Sequence, residues 1–254
     1  MKKVESYIAS GKIYPIEDLF GYPDSLIRAR TESAYKWGIV CLPITARKII
    51  DLGSCHGHGI DTIRRNLDNC DLLISADRWI DYLDIQRRVI GNRCTYLGFD
   101  FKNSLPLANK SIDVAFLIHV VEHLDKPENC LREIHRVLSE DGVCLLATPN
   151  INNLVHMNSD DKWSFLGREV KELVENCDFK VNISYLNADS KALRVHRIKR
   201  MLANIPGTLQ IRRLLPWKVW DKLTIGEGLT CNNFQVGNRE STSSLDILAN
   251  LTKI

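Results

Sequence analysis

Short apolar runs alternate with amphipathic stretches along the middle of the chain. The apolar runs predict strands at residues 48–52, 71–76, 93–98, 112–118 and 142–148. The amphipathic stretches between them predict helices at 59–67, 79–90 and 127–138. Strand–helix alternation with short connections is typical of a doubly wound parallel sheet, so the pattern predicts an α/β core.

The segments on either side of this core have different patterns. After it, a helix at 163–176 and strands at 179–185 and 245–252 would complete a mostly parallel, seven-stranded sheet. Before it, the sequence reads as short helices around Pro15 and Pro23, then a longer helix that begins at the N-cap residue Asp24. We therefore expect four parts, which are an N-terminal helical cap (1–46), a core (47–187), a basic helical insertion (188–236) and the final strand of the core sheet (237–254).

The insertion before the last strand is rich in cations and also carries tryptophans. Its cations are Lys191, Arg194, Arg197, Lys199, Arg200, Arg212, Arg213, Lys218 and Lys222. An insertion of this length between two strands is usually functional, for example as a lid over a site. The alternative is a purely structural helical extension that packs its own Leu and Trp residues, and the sequence leaves both interpretations open.

Composition and charge narrow the classes of protein to consider. The apolar fraction of 44% and the charged fraction of 26% are ordinary for a soluble globular protein, and the net charge of +3 is too small to argue for nucleic-acid binding. No apolar run approaches a membrane span, and the first residues lack the apolar core of a signal peptide. The eight cysteines form no CxxC pair and mostly lie in apolar surroundings, so we expect free thiols and a cytoplasmic location.

A glycine-rich loop follows the first predicted strand of the core. It reads Asp51-Leu-Gly-Ser-Cys-His-Gly-His-Gly59 and leads into a helical pattern. An open α/β sheet binds nucleotide-like ligands at such a place, because glycines let the ligand approach the backbone. Asp51 would repel a pyrophosphate but suits a ligand with a cationic amine and ribose hydroxyls. The loop also lacks the G-x-G-x-x-G order of dinucleotide sites, so it favours S-adenosylmethionine (SAM) over NAD.

Polar residues also follow three later strands. Asp77, with Arg78 after it, ends an apolar run, and a carboxylate there can accept hydrogen bonds from both ribose hydroxyls. Asp100 lies just past the next strand, where it can accept from an adenine amine, and Phe101 beside it could cover the ring. His119 falls at the carboxyl end of the strand at 112–118, where reacting groups gather in such sheets.

Five segments resemble, in the same order, motifs of the class I SAM-dependent methyltransferases, especially their small-molecule branch. They are Leu105-Pro-Leu107, Ile112-Asp-Val114, Val121-Glu-His-Leu124, Leu138-Ser-Glu-Asp-Gly142 and Thr148-Pro-Asn150. The resemblance implies a Rossmann-like methyltransferase fold, SAM as the cofactor, and His119 facing the transferred methyl group. The implied cofactor residues are Asp51, Gly53, Ser54, Cys55, Gly57, Asp77, Arg78, Asp100, Phe101 and His119. Cys55 departs from the pattern, because the superfamily has a glycine at this position of the loop.

The candidate catalytic residues are His119, Glu122 and His123. Methyl transfer from a sulfonium is a displacement, so the main contribution of the protein to the rate is to align the nucleophile, the methyl group and the sulfur. A histidine base would help if the acceptor is a hydroxyl. The three residues also have the spacing of one helical turn, which resembles the E-x-x-E-H segment of ubiquinone-biosynthesis O-methyltransferases, where it has been linked to metal binding. We favour a site without a metal, and the structural alternative is that Glu122 and His123 brace the loop after the strand.

The sequence thus predicts a SAM-dependent methyltransferase acting on a small molecule or on a glycan- or lipid-linked acceptor, with oxygen as the first choice of acceptor atom. The alternatives are a nitrogen or carbon acceptor, and a catalytically silent SAM-binding interaction module. The basic insertion favours an anionic substrate or contact with a membrane surface through residues 188–236. We expect no specific nucleic-acid partner.

Overall fold

A computed structural model describes residues 6–9, 12–15, 24–67, 69–100, 104–153, 161–203, 205, 217–224 and 226–254. The strands are β1 (Ser6–Ala9), β2 (Lys12–Pro15), β3 (Lys48–Leu52), β4 (Leu72–Asp77), β5 (Thr95–Gly98), β6 (Ile112–Ile118), β7 (Leu138–Pro149), β8 (Phe179–Ala188), β9 (Phe234–Gly237) and β10 (Ser244–Lys253). The helices are α1 (Ser25–Val40), α2 (His58–Asn66), α3 (Ile80–Ile90), α4 (Pro127–Val137), α5 (Gly167–Glu175), α6 (Ser190–Ala203) and α7 (Trp217–Leu223). Within these residues no helix has the length and apolar character needed to cross a membrane.

An eight-stranded, mostly parallel sheet forms the centre of the fold. Its strand order is β5-β4-β3-β6-β7-β10-β8-β9. Strands β3 to β7 pair in parallel, whereas β10 runs antiparallel between β7 and β8. The order reverses between β3 and β6, and the crevice outside the carboxyl ends of two such strands is where ligands bind in open α/β sheets. The predicted α/β, doubly wound fold is confirmed, with one strand more than the seven expected.

Helices cover both faces of this sheet. On one face α4 and α5 bury apolar side chains such as Leu131 and Val170, and on the other α1, α2 and α6 bury Ala34, Ile60 and Val195. Because β6 lies between two covered faces, most of its side chains are buried, as the continuous apolar run of its sequence predicts. Each fully buried Leu or Ile stabilises the fold by about 1.5–3 kcal/mol relative to an exposed one.

The chain before the core agrees only in part with the sequence prediction. The N-cap is confirmed, because Oδ1 of Asp24 accepts the amides of Leu26 and Ile27 at 3.0 and 3.1 Å, and α1 begins at the next residue. The prediction of a short helix around Pro15 is wrong, since β1 and β2 form an antiparallel hairpin. Ser10-Gly11 stands between two short apolar runs and is a two-residue hairpin signal that the helical interpretation overlooked. Pro23 lies outside the described residues.

The basic insertion contributes to both the helical layer and the sheet. It contains α6 and α7, and its last part forms β9, which pairs antiparallel with the outer edge of β8. Strand β9 was not expected, because its four residues, Phe-Gln-Val-Gly, are too short to give a clear alternating pattern. The division of the chain into four parts stays a prediction.

Candidate functional site

The glycine loop after β3 packs against the end of β6. A Cβ atom on Gly53 would lie 2.5 Å from Cγ2 of Val120, and Gly53 also has a φ of +79°. Both constraints exclude a larger residue at this position. The loop is therefore pressed onto the turn that carries His119 and Val120.

Asp77, at the tip of β4, fixes the loop from the other side. Its Oδ2 accepts the amide of Cys55 at 2.8 Å, and its Oδ1 accepts the amide of Trp79 at 2.8 Å. Burial raises the pKa of Asp77, although the two amides and the charge of Arg78 act in the opposite direction. A carboxylate has about four acceptor positions, so Asp77 keeps acceptor capacity for a hydroxyl donor beside its backbone hydrogen bonds.

Buried polar side chains support the loop from below. Oγ of Ser75 lies 2.7 Å from Oγ of Ser54, and Nε2 of Gln86 donates to the carbonyl of Cys55 at 2.9 Å. Ser54 was predicted to bind the cofactor, and its hydroxyl is engaged in this network. Sequence reasoning missed Ser75 and Gln86, because neither belongs to a motif and Gln86 is 31 residues from the carbonyl that it holds.

Cys55 has a positive φ, in the region of backbone conformation that favours glycine. Its φ is +46°, between Gly53 and Gly57, both at +79°. A residue with a Cβ is strained in this region by roughly 1–2 kcal/mol. Burial, together with the charge of Asp77, raises the pKa of the thiol to about 12, so Cys55 is not an activated nucleophile.

Asp51 lies fully buried beneath the same loop. The hydroxyl of Tyr35 donates to its Oδ1 at 2.8 Å, while Oδ2 has no hydrogen-bond partner among the residues that the structure describes. Burial raises the pKa of Asp51 to about 7; the Tyr35 hydrogen bond opposes this rise and the charge of Asp77 adds to it. Gly59 is in close contact with both groups, because a Cβ there would overlap the hydroxyl of Tyr35.

His119 is held in an unusual backbone conformation beside this loop. Its φ is +55°, which a residue with a Cβ rarely adopts. Its Nε2 lies 3.1 Å from Oδ1 of Asp246, and its Nδ1 lies 3.4 Å from Oγ1 of Thr31. Backbone strain of this kind persists only where the surroundings impose it, and it is concentrated at functional sites.

The partner of His119, Asp246, is a fully buried carboxylate at the start of β10. Nε of Arg30 donates to its Oδ2 at 2.6 Å, and a second guanidinium nitrogen contacts Oδ1. Burial alone would raise the pKa of Asp246, but the charge of Arg30 and the hydrogen bonds from Arg30 and His119 hold it well below its usual range. Sequence reasoning missed Arg30, Thr31 and Asp246, since they come from α1 and the last strand and belong to no motif.

A protein-family profile described as a methyltransferase domain matches residues 50–146, which contain the glycine loop, Asp77 and His119. This part of the chain is similar to the class I SAM-dependent methyltransferases. The predicted family and its cofactor, SAM, are thereby confirmed.

Individual relatives agree with this classification. A probable SAM-dependent methyltransferase of Mycolicibacterium smegmatis is 27% identical over 145 residues, which are 53% of this chain and 52% of that protein. The chain therefore spans about half the length of this curated relative. Among solved structures, a SAM-dependent methyltransferase of Thermotoga maritima superposes with a TM-score of 0.61 at 14% identity. The superposition covers 90% of this chain and 91% of the Thermotoga chain. The cyclase SpnF has a TM-score of 0.56 at 15% identity, over 87% of this chain and 81% of the SpnF chain, so it shares the fold.

The charges and hydrogen-bond acceptors on the cofactor side of the candidate site are compatible with SAM. The unpartnered Oδ2 of buried Asp51 is suited to a positive charge, and the carboxylate of Asp77 is suited to ribose hydroxyls. Two apolar side chains follow Asp77 and are partly exposed, Trp79 at 44% and Ile80 at 61%. They offer an apolar surface that an adenine ring could cover. Arg78 lies over the Trp79 ring at 5.1 Å. Asp100 is exposed at the end of β5, and Phe101 lies outside the described residues.

Glu122 and His123, in the turn after His119, have polar partners of their own. Glu122 is buried, and its Oε2 accepts the hydroxyl of Thr148 at 3.2 Å. Nδ1 of His123 lies 3.0 Å from Oδ1 of Asp161. The expectation that one helical turn presents all three candidate residues is wrong, because the short 3₁₀ turn covers only Val121–His123 and His119 lies before it in a left-handed conformation. In the described part of the chain, no group of three or more His, Cys, Asp and Glu side chains is arranged to hold a metal ion.

A cavity of about 330 Å³ lies elsewhere, at the opposite end of β3. It is lined by residues around Leu42, Arg47 and Cys70 and contains none of the predicted cofactor residues. We place the candidate site at the carboxyl ends of β3, β4 and β6 because the strained loop, the buried acids and His119 meet there.

Proposed function

We propose that this protein transfers a methyl group from SAM to a hydroxyl oxygen of a small molecule or of a glycan- or lipid-linked precursor. The observation that carries the proposal is the His119–Asp246 pair at the end of β6, next to the cofactor loop. SAM supplies the electrophilic methyl group when bound. A reducing cytoplasmic location is part of the proposal, supported by the eight unpaired cysteines.

The cofactor residues would hold SAM along the strand ends. Asp77 would accept the ribose hydroxyls, and Asp100, with the apolar surface of Trp79, would contact adenine. The loop that begins at Gly53 would surround the methionine part, with the negative charge of Asp51 beneath it. The hydrogen bonds that fix Asp77 and the loop at Cys55 support this proposal, because they would hold the site in place for the cofactor.

His119 would act as the general base. An ionised Asp246 can only accept hydrogen bonds, so Nε2 of His119 must carry the hydrogen between them. This tautomer leaves the lone pair on Nδ1 to receive the proton of an acceptor hydroxyl as the oxygen attacks the methyl carbon. Thr31, near Nδ1, would orient the acceptor, and Arg30 balances the charge of Asp246. Asp246 is thus a positioning residue, which fixes the tautomer and orientation of the base.

The first experiment measures SAM and S-adenosylhomocysteine binding by calorimetry, with Asp77→Ala as the comparison. We expect binding to the parent and a loss of at least about tenfold in the variant, since a charge-assisted hydrogen bond contributes roughly 1.5–3 kcal/mol. If neither ligand binds and the variant behaves like the parent, the proposal fails.

The second experiment tests the base, using SAM with a labelled methyl group and a panel of phenols, sugars and fatty alcohols. His119→Ala should lower kcat by roughly 10²–10⁴-fold without changing S-adenosylhomocysteine binding. Asp246→Asn should lower kcat and shift its pH profile, whereas His123→Ala, the matched histidine control, should leave both nearly unchanged. A nitrogen or carbon acceptor would give transfer that is insensitive to His119.

The second candidate function is a SAM-binding protein that does not transfer methyl groups. It is favoured by Cys55, where the loop departs from the superfamily, and by the structural likeness to a cyclase. Binding of S-adenosylhomocysteine with no transfer to any acceptor would support it.

A further inference from the structure

The outward face of α6 carries four arginine and lysine side chains. They are exposed and recur at every third position: Lys191, Arg194, Arg197 and Arg200. None of the four forms an ion pair with a carboxylate within the described residues. With 3.6 residues per turn, they spread over the half of the helix that faces solvent, opposite the buried Ala192 and Val195.

Large apolar side chains are exposed among these cations. Met201 follows Arg197 by four positions, so it lies on the same side of the helix, and it is 61% exposed. Ile205, just beyond the end of α6, is 48% exposed. On α7, Val219 and Leu223 are also four positions apart, and they are 42% and 60% exposed. Both helices of the insertion therefore present apolar groups to solvent.

A buried ion pair fixes the orientation of this surface. Nζ of Lys199, on the inward side of α6, lies 2.6 Å from Oδ2 of Asp24 and 3.4 Å from Oδ1 of Asp221 in α7. Removing one partner from such a buried cluster is strongly destabilising, so α6 and α7 are held firmly against the start of α1. The exposed cations and apolar groups are thus carried by two helices that are held together, and their outward faces are called the docking surface below.

We infer that this surface, formed by the outward faces of α6 and α7, docks the protein on an anionic phospholipid bilayer. Cations attract anionic headgroups, and apolar side chains among them gain by entering the boundary of the acyl region. An RNA would use the cations but would gain nothing from exposed Met201 and Leu223, so the combination favours a lipid surface.

The docking surface and the acceptor side of the site share one helix. His196, on the inward side of α6, is buried, and its pKa is lowered to about 4 by burial and by the nearby charge of Arg30. The lipid-facing side and the side next to Arg30 are separated by one helix diameter, about 10 Å. If the proposed methyl transfer holds, the acceptor class is a lipid-anchored molecule presented at the bilayer; the docking itself does not depend on that proposal.

The test is vesicle co-sedimentation of the full chain without SAM or acceptor. Vesicles of phosphatidylcholine with roughly 30% phosphatidylglycerol should bind the protein, whereas pure phosphatidylcholine should not. A variant with Arg194, Arg197 and Arg200 replaced by Gln should bind about 100-fold more weakly, since each cation near an anionic surface contributes roughly fivefold. Leu223→Ser should remove the part of the binding that persists at high salt.

The matched control replaces three exposed cations elsewhere, Arg88, Arg93 and Lys180, by Gln, which changes the net charge equally. Thermal unfolding and S-adenosylhomocysteine binding check that both variants are folded. Equal loss of vesicle binding in the two triple variants would overturn the inference, as would binding to RNA with none to vesicles. Failure of the proposed function would appear separately, as absent cofactor binding with vesicle binding intact.

Discussion

Replacing Arg30 and Asp246, singly and together, tests whether the pair beside His119 is the buried ionic unit that the structure shows. Asp246 is fully buried and the side chain of Arg30 is 18% exposed, so removing either charge leaves the other largely without water or a counter-charge. Such a loss costs about 3–5 kcal/mol of unfolding free energy for a fully buried pair. The partial exposure of Arg30 places the expected value near the lower end, at about 3 kcal/mol.

The measurement is a double-mutant cycle of Arg30→Met and Asp246→Asn, by urea unfolding followed through tryptophan fluorescence. We expect a coupling energy of about 2–3 kcal/mol at neutral pH. The pKa of Asp246 lies below its unfolded value of 3.8, so this stabilisation is present above about pH 4 and declines as the pH falls further. The control pair is Lys110 and Glu140, whose side chains are 60% and 65% exposed and should therefore couple far more weakly, because water screens them.

Two results would refute the reasoning. One is additive behaviour of Arg30→Met and Asp246→Asn, because a buried pair must couple. The other is a coupling energy equal to that of the exposed control pair, because then burial contributes nothing. Either result would also remove the argument that Asp246 is charged and sets the tautomer of His119.

Two further predictions concern the cofactor loop. Burial raises the pKa of Asp51 to about 7, and the cationic amine of SAM favours the ionised form of this carboxyl group. SAM binding near pH 6 should therefore release close to one proton, and binding near pH 8.5 almost none. Calorimetry in two buffers of different ionisation enthalpy measures the release, and a release that does not change with pH would contradict the prediction. Cys55 has a φ of +46°, so glycine should fit this position better than alanine, which keeps the Cβ atom. Cys55→Gly should be more stable to urea than Cys55→Ala by about 0.5–1 kcal/mol, a value that allows for the entropy of glycine in the unfolded chain. Equal stability of the two variants would show that the loop is not strained there.

The elements of the core could be predicted because their signals are local. The strand at 48–52 and the strand at 112–118 agree with β3 and β6 at both ends, since each is an apolar run with clear limits. Asp51, Asp77 and His119 were likewise found at strand ends, where position in the chain already fixes position in the sheet.

The polar environment of the site could not be predicted, because it depends on contacts between distant parts of the chain. Asp246 is 127 residues from His119 and 216 from Arg30. A carboxylate inside a predicted strand has no sequence feature that marks it as the partner of a histidine. The hairpin at β1 and β2 was missed for a different reason, since its runs are as short as one helical turn and only the turn residues distinguish the two interpretations.

Helix α1 connects the three parts of the molecule on which the proposals depend. Its N-cap, Asp24, binds Lys199 on the inward side of α6, the helix whose outward face belongs to the docking surface. Arg30 and Thr31 reach Asp246 and His119, and Tyr35, one turn further, donates to Asp51 beneath the cofactor loop. Thr31 and Tyr35 are four residues apart and lie on one face of the helix, and Arg30 points about 100° around it, so one rigid helix contacts both the cofactor and the acceptor side. A displacement of α1 would therefore disturb the base and the cofactor acid together, and Tyr35→Phe should alter SAM binding while leaving the His119–Asp246 pair in place.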